Sequence, residues 1–344
     1  MQPISRRPIL TMILAASFLA GPFGALAQTA TAPIEVNFGL VATDGSQNLR
    51  TKWEPFLQDM QRETGMKVTG FYPSDYAGVI EAMRFGKVQV AWYGNAAAIQ
   101  AVDRADGEVF VQKSYANGTL GYYSLLIVPS DSPLKSLDDV IHAAPGTLNF
   151  GQGDPNSTSG FLVPSYYAWA KNGIDIRKQF KNIVAASHGV NLLAVANKQV
   201  DVATNNTEDL ANLQKTHPDQ AAKIRIIWKS PIIPADPIVW RKDLPDDVKQ
   251  KVRAFFLAYG TERPGADVAH ERQVLEGLGA WGTFHASSNA QLLPVRQVAV
   301  FRERLTTENS TTLSPEEKAK KLEDIDARLK ALDAQMERAK TAAN

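Results

Sequence analysis

The chain has 344 residues, 37 basic and 36 acidic side chains, a formal net charge of +1 and no cysteine. That balance offers nothing to a nucleic-acid backbone or an anionic membrane surface, and it excludes a disulfide framework. A chain of roughly 300 residues beyond any leader is long enough for two domains with cores of their own.

Arg6 and Arg7 precede an apolar run at 9–19 that is too short to span a bilayer, and Ala25-Leu26-Ala27 is a small-x-small cleavage signal. Residues 1–27 therefore read as a signal peptide cleaved near Ala27, by the general or the twin-arginine route, either of which delivers the protein outside the inner membrane. Strands are expected at 34–40, 67–71, 88–92, 123–128, 148–150, 183–185, 200–204, 224–228 and 238–240. Helices are expected at 49–64, 77–85, 161–171, 191–197, 246–259 and 270–278. This alternation predicts α/β domains with largely parallel sheets. Proline-rich crossovers at 128–133 and 230–237 divide the chain into lobe 1 (28–130 and 235–305) and lobe 2 (131–234). The tail opens on the capping box Ser314-Pro315-Glu316-Glu317 and forms an amphipathic helix over 314–342. Its seam of Leu322, Ile325, Leu329, Leu332 and Met336 either packs on its own lobe or joins a second subunit in a homodimer.

The segment Gly151-Gln152-Gly153-Asp154-Pro155-Asn156-Ser157-Thr158-Ser159-Gly160-Phe161 carries the most information. A buried strand runs through a small-residue turn into a helix whose free N–H groups, flanked by three hydroxyls, suit a compact oxyanion. The plainer alternative is a Ser/Thr cap that only starts a helix. Other polar groups stand at strand ends: Tyr76 after 67–71, Tyr93 after 88–92, Tyr122 before 123–128, His188 after 183–185, Glu208 after 200–204, and Asp236 at the return crossover. In a two-lobed α/β scaffold such positions converge on one cleft. Each also has a structural role open to it: an Asn205–Glu208 capping box, a turn started by Asp236, half-buried tyrosines, a histidine bonded to a carbonyl. Enzymatic chemistry finds little support. There is no Gly-x-Ser-x-Gly elbow, no phosphate loop, no dinucleotide fingerprint, and no pair of histidines at metal-ligand spacing among His142, His188, His217, His270 and His285. A binding protein without metal or cofactor is expected.

Lys52-Trp53-Glu54-Pro55-Phe56-Leu57, Asp75-Tyr76-Ala77-Gly78, Ala91-Trp92-Tyr93-Gly94-Asn95, the 153–164 block, Ala194-Val195-Ala196-Asn197, the 201–208 block and Asp236-Pro237-Ile238-Val239-Trp240 closely resemble the periplasmic phosphonate-binding component of phosphonate ABC transporters. The resemblance runs from about residue 35 to 305, and the signal peptide and tail match only in type. It implies a type II periplasmic-binding-protein fold, with two α/β lobes joined by two crossovers. It also implies an inner-membrane ABC permease as partner. By the same resemblance, Ser157, Thr158 and Ser159 cradle the phosphonate oxygens, with Tyr76, Tyr122, His188 and Tyr93 as further donors. Glu208 and Asp236 hold the amino end of 2-aminoethylphosphonate. Two carboxylates beside a phosphonate dianion make sense only if a cation accompanies them. The alternatives are a binding protein for phosphite, methylphosphonate or phosphate, or an enzyme on the same fold. One departure stands out: His188 is followed by Gly189 and Val190, where the best-known enterobacterial relatives carry an acidic residue.

Overall fold

The structure, a computed structural model, describes residues 34–343; the expected signal peptide lies outside them. The strands are β1 (Glu35–Leu40), β2 (Lys67–Phe71), β3 (Val90–Trp92), β4 (Gly107–Tyr115), β5 (Gly121–Tyr122), β6 (Ser124–Pro129), β7 (Leu148–Gln152), β8 (Phe180–Ala185), β9 (Val202–Asn206), β10 (Ile224–Lys229), β11 (Ile233–Pro234), β12 (Pro237–Arg241) and β13 (Trp281–Ala286). They form a six-stranded sheet ordered β13-β4-β12-β3-β1-β2 and a five-stranded sheet ordered β10-β6-β9-β7-β8. A two-stranded ribbon of β5 and β11 joins the lobes, pairing Tyr122 with Ile233 and Gly121 with Pro234.

Both sheets are mixed rather than largely parallel. β1 pairs in parallel with β2 and β3, and β7 with β8 and β9; the pairings of β12, β13, β6 and β10 are antiparallel. The cause is connectivity: where the chain crosses between lobes it returns against its earlier direction, as β12 does between β3 and β4. β6 also corrects the expected division. Placed in lobe 1 by the sequence, it pairs with β9 and β10 in the second sheet, so the outgoing crossover is Gly121–Tyr122 and not the proline-rich 128–133 stretch.

The first lobe's core is aromatic. Trp53 and Phe56 of the Ser46–Thr64 helix, Phe256 of the Asp246–Ala258 helix, Phe38 of β1, and Trp281 and Phe284 of β13 meet with ring centroids 4.8–6.3 Å apart. The second lobe is aliphatic on one sheet face and carries Phe150, Trp169 and Phe180 on the other. The sequence pattern hides β4 and β13: Gln112, Lys113 and Ser114 interrupt one, Gly282, Thr283 and His285 the other. Both are held by the sheet and not by alternation of their own. No helix of the described residues is long and apolar enough to cross a membrane.

The tail helix, Pro315–Ala343, lies along the Leu293–Glu308 helix. Its whole seam is at least partly covered, and Ile325 is fully buried. Arg304 pairs with Asp326 at 2.7 Å and Arg328 with Glu303 at 2.9 Å. The seam is thus satisfied within one chain. Ile325→Asp should detach the helix at a cost of roughly 2–3 kcal/mol, because it puts an unpaired charge into that seam. Limited proteolysis should then trim the tail. The unmodified protein should sediment as a monomer; a dimer lost on deleting residues 314–344 would contradict this packing.

Candidate functional site

The parallel strands end at one cleft, and the small-residue turn after β7 forms its floor. Ser157 caps the segment: its Oγ accepts the Gly160 N–H at 3.0 Å. Thr158–Leu162 and Ser165–Trp169 are wound as π-helix, not as the α-helix expected over 161–171. The first ladder bond runs from the Leu162 N–H to the Ser157 carbonyl, five residues back. Pro164 supplies no N–H to the ladder. Such wide turns concentrate at binding sites. The turn closes tightly because Gly153 and Gly160 meet backbone to backbone; a Cβ on Gly153 would stand 2.5 Å from the Gly160 Cα.

Of the residues expected in a site, Tyr76, Tyr122, Ser157, Thr158, Ser159, His188, Glu208 and Asp236 line this one cleft, which holds about 550 Å³ counted out to its mouth. Tyr93 does not. It is fully buried in the first lobe, where its hydroxyl donates to the Val79 carbonyl at 3.1 Å. Strand alternation explains the difference: Trp92 faces the cleft, so its neighbour faces the core. Trp92, Lys52 and Asn206, which the sequence places only within longer motifs, also line the walls, and so does Asp209, which it does not single out.

Hydroxyls and the imidazole converge over the floor. His188 Nε2 lies 3.4 Å from both Ser157 Oγ and Ser159 Oγ. Burial lowers the His188 pKa, against the raising influence of Asp209, Glu208 and Asp154, so the ring is neutral and its proton position decides what it donates. The Tyr76 hydroxyl faces Ser157, and that of Tyr122 faces both Ser159 and Asp236. Burial raises the pKa of both phenols, which therefore remain O–H donors. Thr158 Oγ1 accepts the Ala96 N–H at 2.8 Å, at the start of the Asn95–Arg104 helix, and keeps its own proton to donate. Gly94 permits this contact: a Cβ there would lie 3.2 Å from Thr158 Oγ1.

The lobes touch across the cleft. The Tyr76 N–H donates to Asp154 Oδ2 at 3.2 Å, and the Gly189 N–H to the Thr43 carbonyl at 3.1 Å. A Cβ at Gly189 would approach Asp44 Oδ1 to 2.6 Å. The departure beside His188 therefore lies on the line where the lobes meet, and an acidic side chain there would be driven against Asp44.

Glu208 does not cap its helix. Asn206 does, accepting the Glu208 and Asp209 N–H groups at 2.9 and 2.8 Å, while Asn205 donates to the His188 carbonyl. The Glu208 carboxylate reaches the first lobe instead. Its Oε2 accepts from Lys113 Nζ at 2.6 Å and from the Tyr115 hydroxyl at 3.0 Å, and its Oε1 accepts from Trp281 Nε1. Lys113 is fully buried, and its Nζ is also 3.5 Å from Asp236 Oδ2. Sequence reasoning missed it, because Lys113 stands in the polar stretch Gln112-Lys113-Ser114 that follows the apolar run. Burial pushes the Asp236 carboxyl up to about 6, opposed by the Lys113 charge and reinforced by that of Glu208. Among the described residues, five buried polar side-chain atoms lack a partner. Three of them, Trp92 Nε1, His188 Nδ1 and Asp236 Oδ1, belong to this cleft.

The arrangement is a ring of neutral donors for an oxyanion, set beside a buried cluster of charges. Comparison with known proteins agrees. Residues 38–292 match the family model of the periplasmic substrate-binding protein of phosphonate ABC transporters. The phosphonates-binding periplasmic protein of Escherichia coli K12 is 51% identical over 298 residues, which cover 87% of this chain and 86% of that one. A crystal structure of a binding-protein component of an ABC phosphonate transporter from Pseudomonas aeruginosa superposes with a TM-score of 0.85 at 50% identity, covering 90% of this chain and 99% of that one. A Prochlorococcus marinus protein solved in complex with methylphosphonate shares the fold, with a TM-score of 0.67 at 18% identity over 77% of this chain and 97% of its own. The chain belongs to the periplasmic phosphonate-binding proteins of ABC transporters.

Proposed function

We propose that this chain captures organophosphonates between its lobes in the periplasm, its signal peptide removed near Ala27, and hands them to an inner-membrane ABC permease without altering them. The observation that carries this reading is the convergence of Ser157, Thr158, Ser159, His188, Tyr76 and Tyr122 on one oxyanion-sized floor. Hydroxyl and N–H donors suit a phosphonate head, and the carbon substituent then lies toward Trp92, Tyr122 and Asp236. Contacts from both lobes give the ligand its preference for the closed state, and only such differential affinity can drive closure. A serine beside a histidine invites comparison with a nucleophile and its base. His188 Nδ1, however, has no orienting partner in the described residues, which a nucleophilic pair requires.

The finer expectation was 2-aminoethylphosphonate, on the ground that Glu208 and Asp236 call for a cation. Lys113 supplies that cation from within the chain. The charge argument therefore no longer selects the aminophosphonate over methylphosphonate, phosphite or phosphate. What supports a phosphonate is the donor ring together with the aromatic wall beside it.

Calorimetry of residues 28–344 should register binding of ethylphosphonate, and loss of all phosphonate binding in favour of phosphate alone would contradict the reading. Thr158→Ala removes one donor to a charged oxygen and one contact between the lobes. Since a hydrogen bond to a charged group contributes roughly 1.5–3 kcal/mol, affinity for every phosphonate should fall by about tenfold to a hundredfold. An unchanged dissociation constant in the folded variant would reduce the Ser-Thr-Ser turn to a helix cap.

The Asp236 carboxyl gives a pH signature. Its pKa in the folded chain, about 6, lies above its ordinary value of 3.8, so between them the folded state holds the proton more tightly than the unfolded state does. The stability this group contributes is present below that window and is lost as pH rises through it. In thermal melts of the ligand-free protein, Asp236→Asn should remove that part of the decline between about pH 4 and 6. A variant whose melting profile keeps the same slope would show that Asp236 ionises normally.

A further inference from the structure

Lys113 is an unusual group to find with no exposure at all. Its backbone is fixed, the N–H donating to the Asp236 carbonyl at 3.1 Å. Its ammonium lies between two carboxylates, 2.6 Å from Glu208 and 3.5 Å from Asp236. Aromatic faces complete the enclosure: the centroids of Trp281, Tyr115, Trp92 and Tyr122 stand 4.3, 5.1, 5.5 and 6.0 Å from Nζ. Two carboxylates and a box of rings make up the surroundings that recognise an alkylammonium.

That subsite adjoins the oxyanion floor. Tyr122 faces Ser159 on one side and Asp236 on the other. A Cβ at Gly94 would be 3.2 Å from Thr158 Oγ1 and 3.9 Å from Asp236 Oδ1, so the two subsites are a short carbon spacer apart.

We infer that Lys113 sets the ligand preference of this chain: its tethered ammonium fills the cation subsite of Glu208, Asp236 and the aromatic box, so phosphonates without an amine bind in preference to aminophosphonates. The inference rests on the reading of the cleft as a phosphonate site. An incoming ammonium meets like charge in a buried setting and finds Glu208 already bonded to Lys113, Tyr115 and Trp281. A neutral alkyl group meets neither obstacle.

The test compares two ligands with the same carbon skeleton, ethylphosphonate and 2-aminoethylphosphonate, by calorimetry on the full mature chain. The wild-type protein should bind ethylphosphonate more tightly by about tenfold or more, the scale of one charged contact. Lys113→Ala opens the subsite, so 2-aminoethylphosphonate should tighten by a similar factor and the order should invert. Lys113→Met removes the charge but keeps the bulk of the stem, and should narrow the ratio without inverting it. If the alanine variant does not fold, the wild-type ratio and the methionine variant decide. A wild-type preference for 2-aminoethylphosphonate, or a ratio unmoved by either substitution, overturns the inference while leaving the phosphonate reading intact. If neither ligand binds the wild-type protein, the phosphonate reading fails and this inference fails with it.

Discussion

The ion cluster of Lys113, Glu208 and Asp236 is the constraint to which the rest of the cleft conforms. Each member comes from a different stretch of chain: a central strand of the first sheet, the start of a helix in the second lobe, and the return crossover. Burying such charges is costly, and leaving one of them unpaired typically costs about 3–5 kcal/mol. The three must therefore meet, and they meet only when the lobes are together. Glu208 is the second lobe's contribution, and both of its carboxylate oxygens accept from first-lobe donors. The carboxylate acts as a latch whose strength depends on the dryness of its surroundings, which the aromatic side chains of the first lobe provide.

The oxyanion floor obeys a different logic. It carries no formal charge of its own: His188 is held neutral by burial, and the tyrosines stay protonated. Fixed dipoles, directed by π-helical turns and by a glycine pair too close for side chains, do what an arginine does elsewhere. Neutral donors of defined geometry discriminate by shape and proton position, where a point charge attracts any anion. The floor and the ion cluster share a wall in Tyr122 and Asp236, so the charge balance of the cluster sets the potential in which the anion sits.

Much of this was legible in the sequence. Strand-to-helix junctions are written in short-range chemistry, so Ser157-Thr158-Ser159, Tyr76, His188 and the Asp236 crossover could be placed on one cleft before any coordinates. The helix over 161–171 was legible as a helix but not as π-helix, because the spacing of its apolar residues does not distinguish the two windings. Tyr93 was misplaced because one residue of strand register decides between cleft and core. β6 was assigned to the wrong lobe because the prolines at 129 and 133 look like a hinge, whereas the actual hinge pairs Gly121 and Tyr122 with Ile233 and Pro234. Lys113 was invisible for a stronger reason. Nothing local marks a lysine whose partners lie 95 and 123 residues away; its role exists only in the tertiary fold.

Tyr122 belongs to the hinge ribbon and to the wall of the cleft at once. Bending of that ribbon moves a wall of the cleft directly, with no intervening element to absorb the motion. The bend angle is therefore a coordinate of the site itself: as the hinge opens, the wall beside the anion tilts away while the floor stays with the second lobe. A partner that pries the lobes apart would tilt that wall by the angle it imposes.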